Sequence, residues 1–277
     1  MTSQLETRDI VVDGIRSPVV VGGPTTNPHE AVVFVHGNNA GADWRPLMTP
    51  VSEFARVVAP DLPGFGDADK PADWQYTVPA YAAHLAGVVE QLGIERAHLV
   101  AHDFGGPFAL AWTAGHLEAV GSITLINTPA RINHTAAKIW RTPVLGELSW
   151  RTARASNFRK LFRRTDPGLP DADRDEITRH AMVPATQRTV LRLYRATGEP
   201  AIAPYVEPLT SFDGEVLIVW GDGDAYIATE QADEQRRIFQ HARIHLVPGA
   251  GHWPWLEQPG PVAFVVTNFL REQVAPA

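Results

Sequence analysis

The sequence predicts an α/β fold: a mostly parallel central sheet with helices on both faces and a helical segment inserted into it. Three observations predict it. Short apolar runs rich in β-branched residues alternate with longer stretches of helical spacing, the pattern of strands joined by covering helices. That alternation fails once, between about residues 129 and 210. The length, 277 residues, is long for one ordinary domain and normal for an α/β domain carrying an insertion.

In chain order, the strands are expected at 31–35, 57–60, 97–101, 122–126, 215–220 and 243–247. Covering helices are expected at 77–92, 104–114, 229–240 and 261–274, where apolar residues recur at helical spacing. Between Pro129 and Thr210 the residues Trp140, Leu145, Leu148, Trp150, Leu161, Val190, Leu193 and Tyr194 sit in arginine-rich, proline-broken helical sequence. This segment, which follows the fourth of the strands placed above, reads as a helical cap, residues 129–210, inserted after the sixth strand of the full sheet in a core made of residues 1–128 and 211–277. No internal repeat or low-complexity linker interrupts the chain.

Composition narrows the function. No apolar run approaches the roughly 18 residues that span a bilayer, and the polar start, with Glu6, Arg8 and Asp9, lacks an apolar signal region. A cytoplasmic protein with no membrane contact is expected. With no cysteine in the chain, covalent catalysis would use oxygen or nitrogen. The net charge of −7 is uneven: residues 131–195 carry 14 Lys+Arg against 6 Asp+Glu. A clustered basic run can attract anionic substrates or nucleic acid, but on helices it reads more simply as a solvated face. Nucleic-acid binding is not expected, since basic and aromatic residues do not interleave. The expected partner is a small-molecule substrate, for a monomer or homodimer without cofactor or metal.

The chemistry concentrates in three places. The stretch Ala97-His-Leu-Val-Ala-His-Asp-Phe-Gly-Gly106 reads as a strand running through a sharp turn into a helix, with Asp103 at the apex. Small residues, Ala101 and Gly105, flank a crowded turn, and a helix N-terminus beside the apex favours an ionised carboxylate. Taken alone, Asp103 could equally be a simple helix cap. Two further signals favour chemistry. Ala31 to Val35 ends in His36-Gly37-Asn38, where a second oxyanion donor would stand. Far downstream, Gly249-Ala-Gly-His252 is a glycine-rich turn able to bring one imidazole to the carboxyl edge of the sheet. His29, His84, His98, His116, His134, His180, His241 and His245 read as surface or core histidines. His36 and His102 are expected to brace the oxyanion and nucleophile loops. Past the strand at 215–220, Gly221-Asp-Gly-Asp224 offers two carboxylates, with Asp222 reading as a turn residue.

On His36-Gly37, Asp61-Leu-Pro-Gly-Phe-Gly66, Asp69-Lys-Pro71, His102-Asp-Phe-Gly-Gly106, Trp220-Gly221 with Asp224, and Gly251-His252, the sequence resembles the α/β-hydrolase superfamily. Within it, the chain looks like the aspartate-nucleophile branch of epoxide hydrolases and haloalkane dehalogenases. The resemblance implies a triad of Asp103, Asp224 and His252, Asp224 being preferred to Asp222. Asp103 would displace a leaving group at carbon to form an alkyl ester, and His252 would activate the water that hydrolyses it. The backbone N–H groups of Asn38 and Phe104 would form the oxyanion hole.

The branches differ in how they stabilise the leaving group. Epoxide hydrolases use cap tyrosines, and Tyr194 matches the segment that supplies one; it could equally be a core aromatic. Residues 131–188 contain no tyrosine, leaving Tyr205 or a tryptophan as the second donor. Haloalkane dehalogenases use a tryptophan beside the nucleophile, where this chain has Phe104, and an asparagine that Asn38 matches; Trp44, Trp140 or Trp150 could substitute. Asn39 replaces a proline usual in epoxide hydrolases, and Phe104 replaces the arginine of fluoroacetate dehalogenase. An epoxide hydrolase acting on a small organic epoxide ranks first, a haloalkane dehalogenase second, and another aspartate-nucleophile α/β-hydrolase close behind. A catalytically silent ligand-binding scaffold is the reading from another class. A metal held by Asp222, Asp224 and His252 lacks the usual ligand spacing.

Overall fold

The computed structural model describes residues 5–275. They form one eight-stranded sheet in the order β1-β2-β4-β3-β5-β6-β7-β8. The strands are β1 (Glu6–Val12), β2 (Ile15–Gly22), β3 (Glu30–Val35), β4 (Val57–Pro60), β5 (Arg96–His102), β6 (Val120–Ile126), β7 (Glu215–Gly221) and β8 (Arg243–Val247). β1 pairs antiparallel with β2, and β2 antiparallel with β4, while every other pair is parallel. All six expected strands are present. The antiparallel ribbon β1–β2 was not anticipated, for two physical reasons. β1 is a largely exposed edge strand, so its sequence is polar. β2 carries Pro18, which cannot donate to a ladder and argues against a strand on sequence grounds.

Successive strand residues point to opposite faces, and both faces are buried. Val33, Val35, Leu99, Ala101, Ile123 and Ile218 pack beneath α2 (Val78–Gln91) and α3 (Gly105–Gly115). Val32, Phe34, Val100, Leu217 and Val219 pack against α1 (Arg45–Val51), α11 (Pro254–Glu257) and α12 (Pro259–Gln273). This two-sided burial explains why the parallel strands read as unbroken apolar runs. α2 starts where the pattern predicts, with the Thr77 hydroxyl accepting from the Ala80 N–H at 3.3 Å. α10 (Glu230–Arg236) is shorter than its predicted span because the chain tightens into turns from Arg237 onward.

Between β6 and β7 the chain forms α4 (Thr135–Arg141), α5 (Leu145–Thr152), α6 (Ala155–Thr165), α7 (Asp171–Ala181), α8 (Pro184–Ala196) and the short α9 (Val206–Leu209). Polar seams tie them together. The Arg141 guanidinium donates to the carbonyls of Ile132, Tyr194 and Thr197 at 2.7–3.0 Å, and Arg195 forms a two-pronged pair with Glu147. Much of the segment's basic excess is spent this way, on carbonyls and on partners such as Asp171, Asp175 and Glu176. Among the described residues, no helix is long and apolar enough to cross a membrane.

Phe108 of α3 is fully buried and stacks on Tyr81 of α2 at 4.1 Å. Phe108→Ala is expected to lower stability by about 3–5 kcal/mol through the cavity it leaves. Urea unfolding of the two proteins checks it.

Candidate active site

β5 hands the chain to α3 through Asp103 and Phe104. Asp103 has φ +49°, a left-handed conformation that turns the backbone sharply and lifts its side chain clear of the sheet. The turn is possible because glycines stand at 105 and 106 and, on the facing loop, at 37. A Cβ at Gly105 would sit 2.1 Å from the Val35 carbonyl oxygen, and one at Gly106 would sit 1.8 Å from Cγ2 of Thr128. At Gly37 a Cβ would lie 2.6 Å from Oδ2 of Asp103 and 2.8 Å from the Phe104 nitrogen. The His-Gly motif after β3 thus exists to let the two loops touch.

The Asp103 carboxylate accepts from Nδ2 of Asn38 at 3.1 Å and from the backbone N–H groups of Phe104 and Asn38. Those are the two N–H groups expected to form the oxyanion hole. Burial pushes its pKa up to about 6, against the opposing pull of the His252 charge and these donors. His252 reaches the same place from the loop after β8, its Nδ1 donating to Oδ2 of Asp224 at 2.8 Å. Burial alone would depress the imidazole, but Asp224 and then Asp103 raise it to about 9. Asp224 is itself held below the ordinary carboxylate range. Burial works against this, and it is overcome by the His252 charge and by donors from Asn127 Nδ2 at 2.7 Å and the Tyr226 N–H at 2.7 Å. Asp222 instead accepts from the Gly249 N–H at 2.7 Å and only shapes the turn.

The other expected residues fall as follows. His36 accepts the Leu62 N–H on Nε2 at 2.9 Å, so Nδ1 donates to the Gly37 carbonyl, bracing the loop that carries Asn38. His102 Nε2 donates to the His252 carbonyl at 2.8 Å, tying the elbow to the histidine loop. Tyr194 of α8 is buried, edge-on to Phe104 with ring centroids 5.0 Å apart, and lines the cavity above Asp103. Trp44 stacks on Trp255 in the core at 4.4 Å, and neither it nor Tyr205 lines that cavity.

Several functional groups escaped sequence reasoning. His134, expected to be a surface or core residue, stands at the mouth of α4 and lines the cavity. Its Nδ1 accepts the Ala137 N–H at 3.2 Å, which places the proton on Nε2; that N–H then donates to the Tyr194 hydroxyl at 3.2 Å. The phenol is therefore an acceptor toward His134, and its other side-chain partner is Asn38. Burial, reinforced by the Asp103 charge, holds the Tyr194 pKa well above its ordinary value. Burial lowers His134 to about 4, so it stays neutral. Asn127 was also missed: at φ +42° it bonds Asp224 and the Gly221 N–H at 2.9 Å. The only available signal was an asparagine directly after a strand.

The cavity encloses about 160 Å³. Its wall is aromatic, with Trp140 stacked on Trp150 at 5.3 Å and Trp150 on Phe158 at 5.5 Å. Among the described residues, no lysine or arginine lines it, and no group of three potential metal ligands gathers anywhere. A second serine–histidine–carboxylate set, Ser122, His98 and Glu30, has bond lengths of 2.8 and 3.0 Å but is sealed in the core away from any substrate.

Comparison with known proteins agrees with this fold. The sequence model described as the alpha/beta hydrolase family matches residues 32–263. A 2-hydroxy-6-oxo-2,4-heptadienoate hydrolase of Pseudomonas putida is 28% identical, over 92% of this chain and 96% of its own. Epoxide hydrolase 3 of Xenopus tropicalis is 22% identical, over 94% and 76%. The crystal structure of wild-type Cfl2 from Burkholderia cenocepacia superposes with a TM-score of 0.81 at 27% identity, covering 96% of this chain and 95% of the other.

As a nucleophile, Asp103 would have to be ionised, and its pKa is raised to about 6, so a rate of covalent attack is expected to rise with pH through that value and to be lost below it. Esterifying Asp103 removes one of the charges that raise His252, so His252 becomes a free base at a lower pH in the intermediate than in the resting protein. Stopped-flow measurement of the two half-reactions across pH 5–10 checks both limbs; an attack rate flat through pH 6 contradicts the assignment.

Proposed function

This chain belongs to the alpha/beta hydrolase family, and on that premise we propose that it opens a small neutral epoxide through an ester formed with Asp103. The observation that carries the reading is the Tyr194 phenol, which accepts from His134 and stands with Asn38 at the cavity that Asp103 also lines, so that its proton is the acidic one there. A strained ring oxygen needs a proton as its carbon–oxygen bond breaks, whereas a departing halide needs none.

In the first step a carboxylate oxygen of Asp103 attacks a ring carbon, the carbon–oxygen bond breaks, and the oxygen takes the Tyr194 proton. The phenolate left behind is stabilised by the Nε2–H of His134. In the second step His252 takes a proton from water, which attacks the ester carbonyl carbon. Asp224 stabilises the imidazolium, and the N–H groups of Asn38 and Phe104 hold the oxyanion, each typically worth about 3 kcal/mol. Collapse frees the diol and the Asp103 carboxylate, and the proton on His252 restores the phenol through solvent. Residues 129–210 act as the cap that supplies Tyr194 and His134 and excludes bulk water.

Carbon–carbon bond hydrolysis is the second reading, favoured by the Pseudomonas putida relative's identity and coverage. Two features weigh against it. A carboxylate is a poor acylating nucleophile, and a dienoate would find no lysine or arginine in the cavity. Haloalkane dehalogenation ranks next, since the Phe104 side chain has no N–H to hold a halide.

His252→Gln blocks the second step. After incubation with styrene oxide its intact mass is expected to rise by the whole epoxide, localised to Asp103. Tyr194→Phe is expected to slow ester formation about 100-fold or more. An adduct only from a bromoalkane, with bromide lost, transfers the assignment to the dehalogenase, and no adduct from either rejects both.

A further inference from the structure

The loop that presents His252 is gripped by two carboxylates. The Gly251 N–H donates to both oxygens of Glu257 at 3.0 Å, the His252 N–H to Oδ1 of Asp166 at 2.9 Å, and the Trp253 N–H to Oε1 of Glu257 at 3.4 Å. Glu257 belongs to α11, but Asp166 comes from the inserted helices, directly after α6. The two acids converge on one point: a Cβ at Gly251 would lie 2.5 Å from Oδ1 of Asp166 and 2.9 Å from Oε1 of Glu257. Only glycine fits there, which gives the residue before His252 its reason.

Asp166 is completely buried, accepts the Thr165 hydroxyl at 2.5 Å and, among the described residues, has no arginine or lysine partner. A buried carboxylate without a cation is costly. The groups that face it are His252, Asp224, Glu257, Thr165 and, through the Thr165 hydroxyl at 3.1 Å, Tyr226. His252 is the one that can carry positive charge. Asp224 orients the imidazole ring, while Asp166 and Glu257 hold the main chain from which the ring hangs. We propose that Asp166, with Glu257, positions His252 and supports its imidazolium, so that the inserted helices contribute to the general base itself. Asp166 is thus a positioning residue, and the inference rests on His252 serving as that base. It also means that the base is fully formed only when the insertion is seated on the histidine loop.

The experiment compares Asp166→Asn, which keeps an acceptor for the His252 N–H but removes the charge, with Asp166→Ala, which removes both. NMR titration of the His252 imidazole, assigned against His252→Gln, is expected to show a lower midpoint in Asp166→Asn than in the parent. With styrene oxide, Asp166→Ala is expected to leave ester formation unchanged and slow ester hydrolysis about tenfold or more, so that kcat and KM fall together. An unchanged titration midpoint in Asp166→Asn overturns the proposal, as does equal slowing of both half-reactions in Asp166→Ala. If both variants fail to fold, the titration is read in Glu257→Gln, where a lowered midpoint supports the proposal and an unchanged one rejects it. The titration needs no turnover, so it decides the matter even if epoxides prove not to be substrates.

Discussion

Everything at this site depends on how closely the ends of β3 and β5 approach one another. Gly37 lies against the Asp103 carboxylate and the Phe104 nitrogen so tightly that no side chain fits. That contact aims two backbone N–H groups at one carboxylate, and it requires Asp103 to adopt a left-handed backbone that costs roughly 1–3 kcal/mol. The bonds of His36 to the Leu62 N–H and of His102 to the His252 carbonyl keep the loops from relaxing apart. The strain is therefore maintained by polar contacts placed behind the reacting groups.

A second theme is the segregation of charge. The insertion is strongly basic, yet most of its guanidinium groups face carbonyls and carboxylates outside the site, and none lines the cavity. What faces the cavity is aromatic carbon, a few amide and hydroxyl groups, and the Asp103–His252 pair. In such surroundings one carboxylate is raised and one lowered. Asp103, with few compensating charges, drifts up to about 6, while Asp224, surrounded by donors and His252, stays low. In the proposed mechanism, environment alone separates two chemically identical groups into a nucleophile and a charge stabiliser.

Much of this was legible in the sequence. The apolar strand runs, the glycines at the elbow and the lone histidine in a glycine-rich turn carried the parallel sheet and brought Asp103, Asp224 and His252 together. What stayed hidden has physical causes. β1 is polar because it is an edge, and β2 contains a proline, so neither resembles a buried strand. His134, Asn127 and Asp166 act through contacts 60 to 97 residues away in the chain, and such pairings leave no local pattern. Single residues in a loop or at a helix mouth carry no periodicity from which a role can be read.

The bond that fixes the His134 tautomer has a thermal consequence. Its Nδ1 caps α4 by accepting the Ala137 N–H, and α4 spans only Thr135–Arg141, a length at which a helix has little intrinsic stability. Whenever that first turn frays, Nδ1 is released, the imidazole can move its proton to the other nitrogen, and the Tyr194 hydroxyl must then donate toward His134. The cavity loses its acidic proton while the sheet and the elbow remain intact. If Tyr194 is the proton donor proposed above, melting of one helical turn would thus silence the protein at temperatures where its fold still stands.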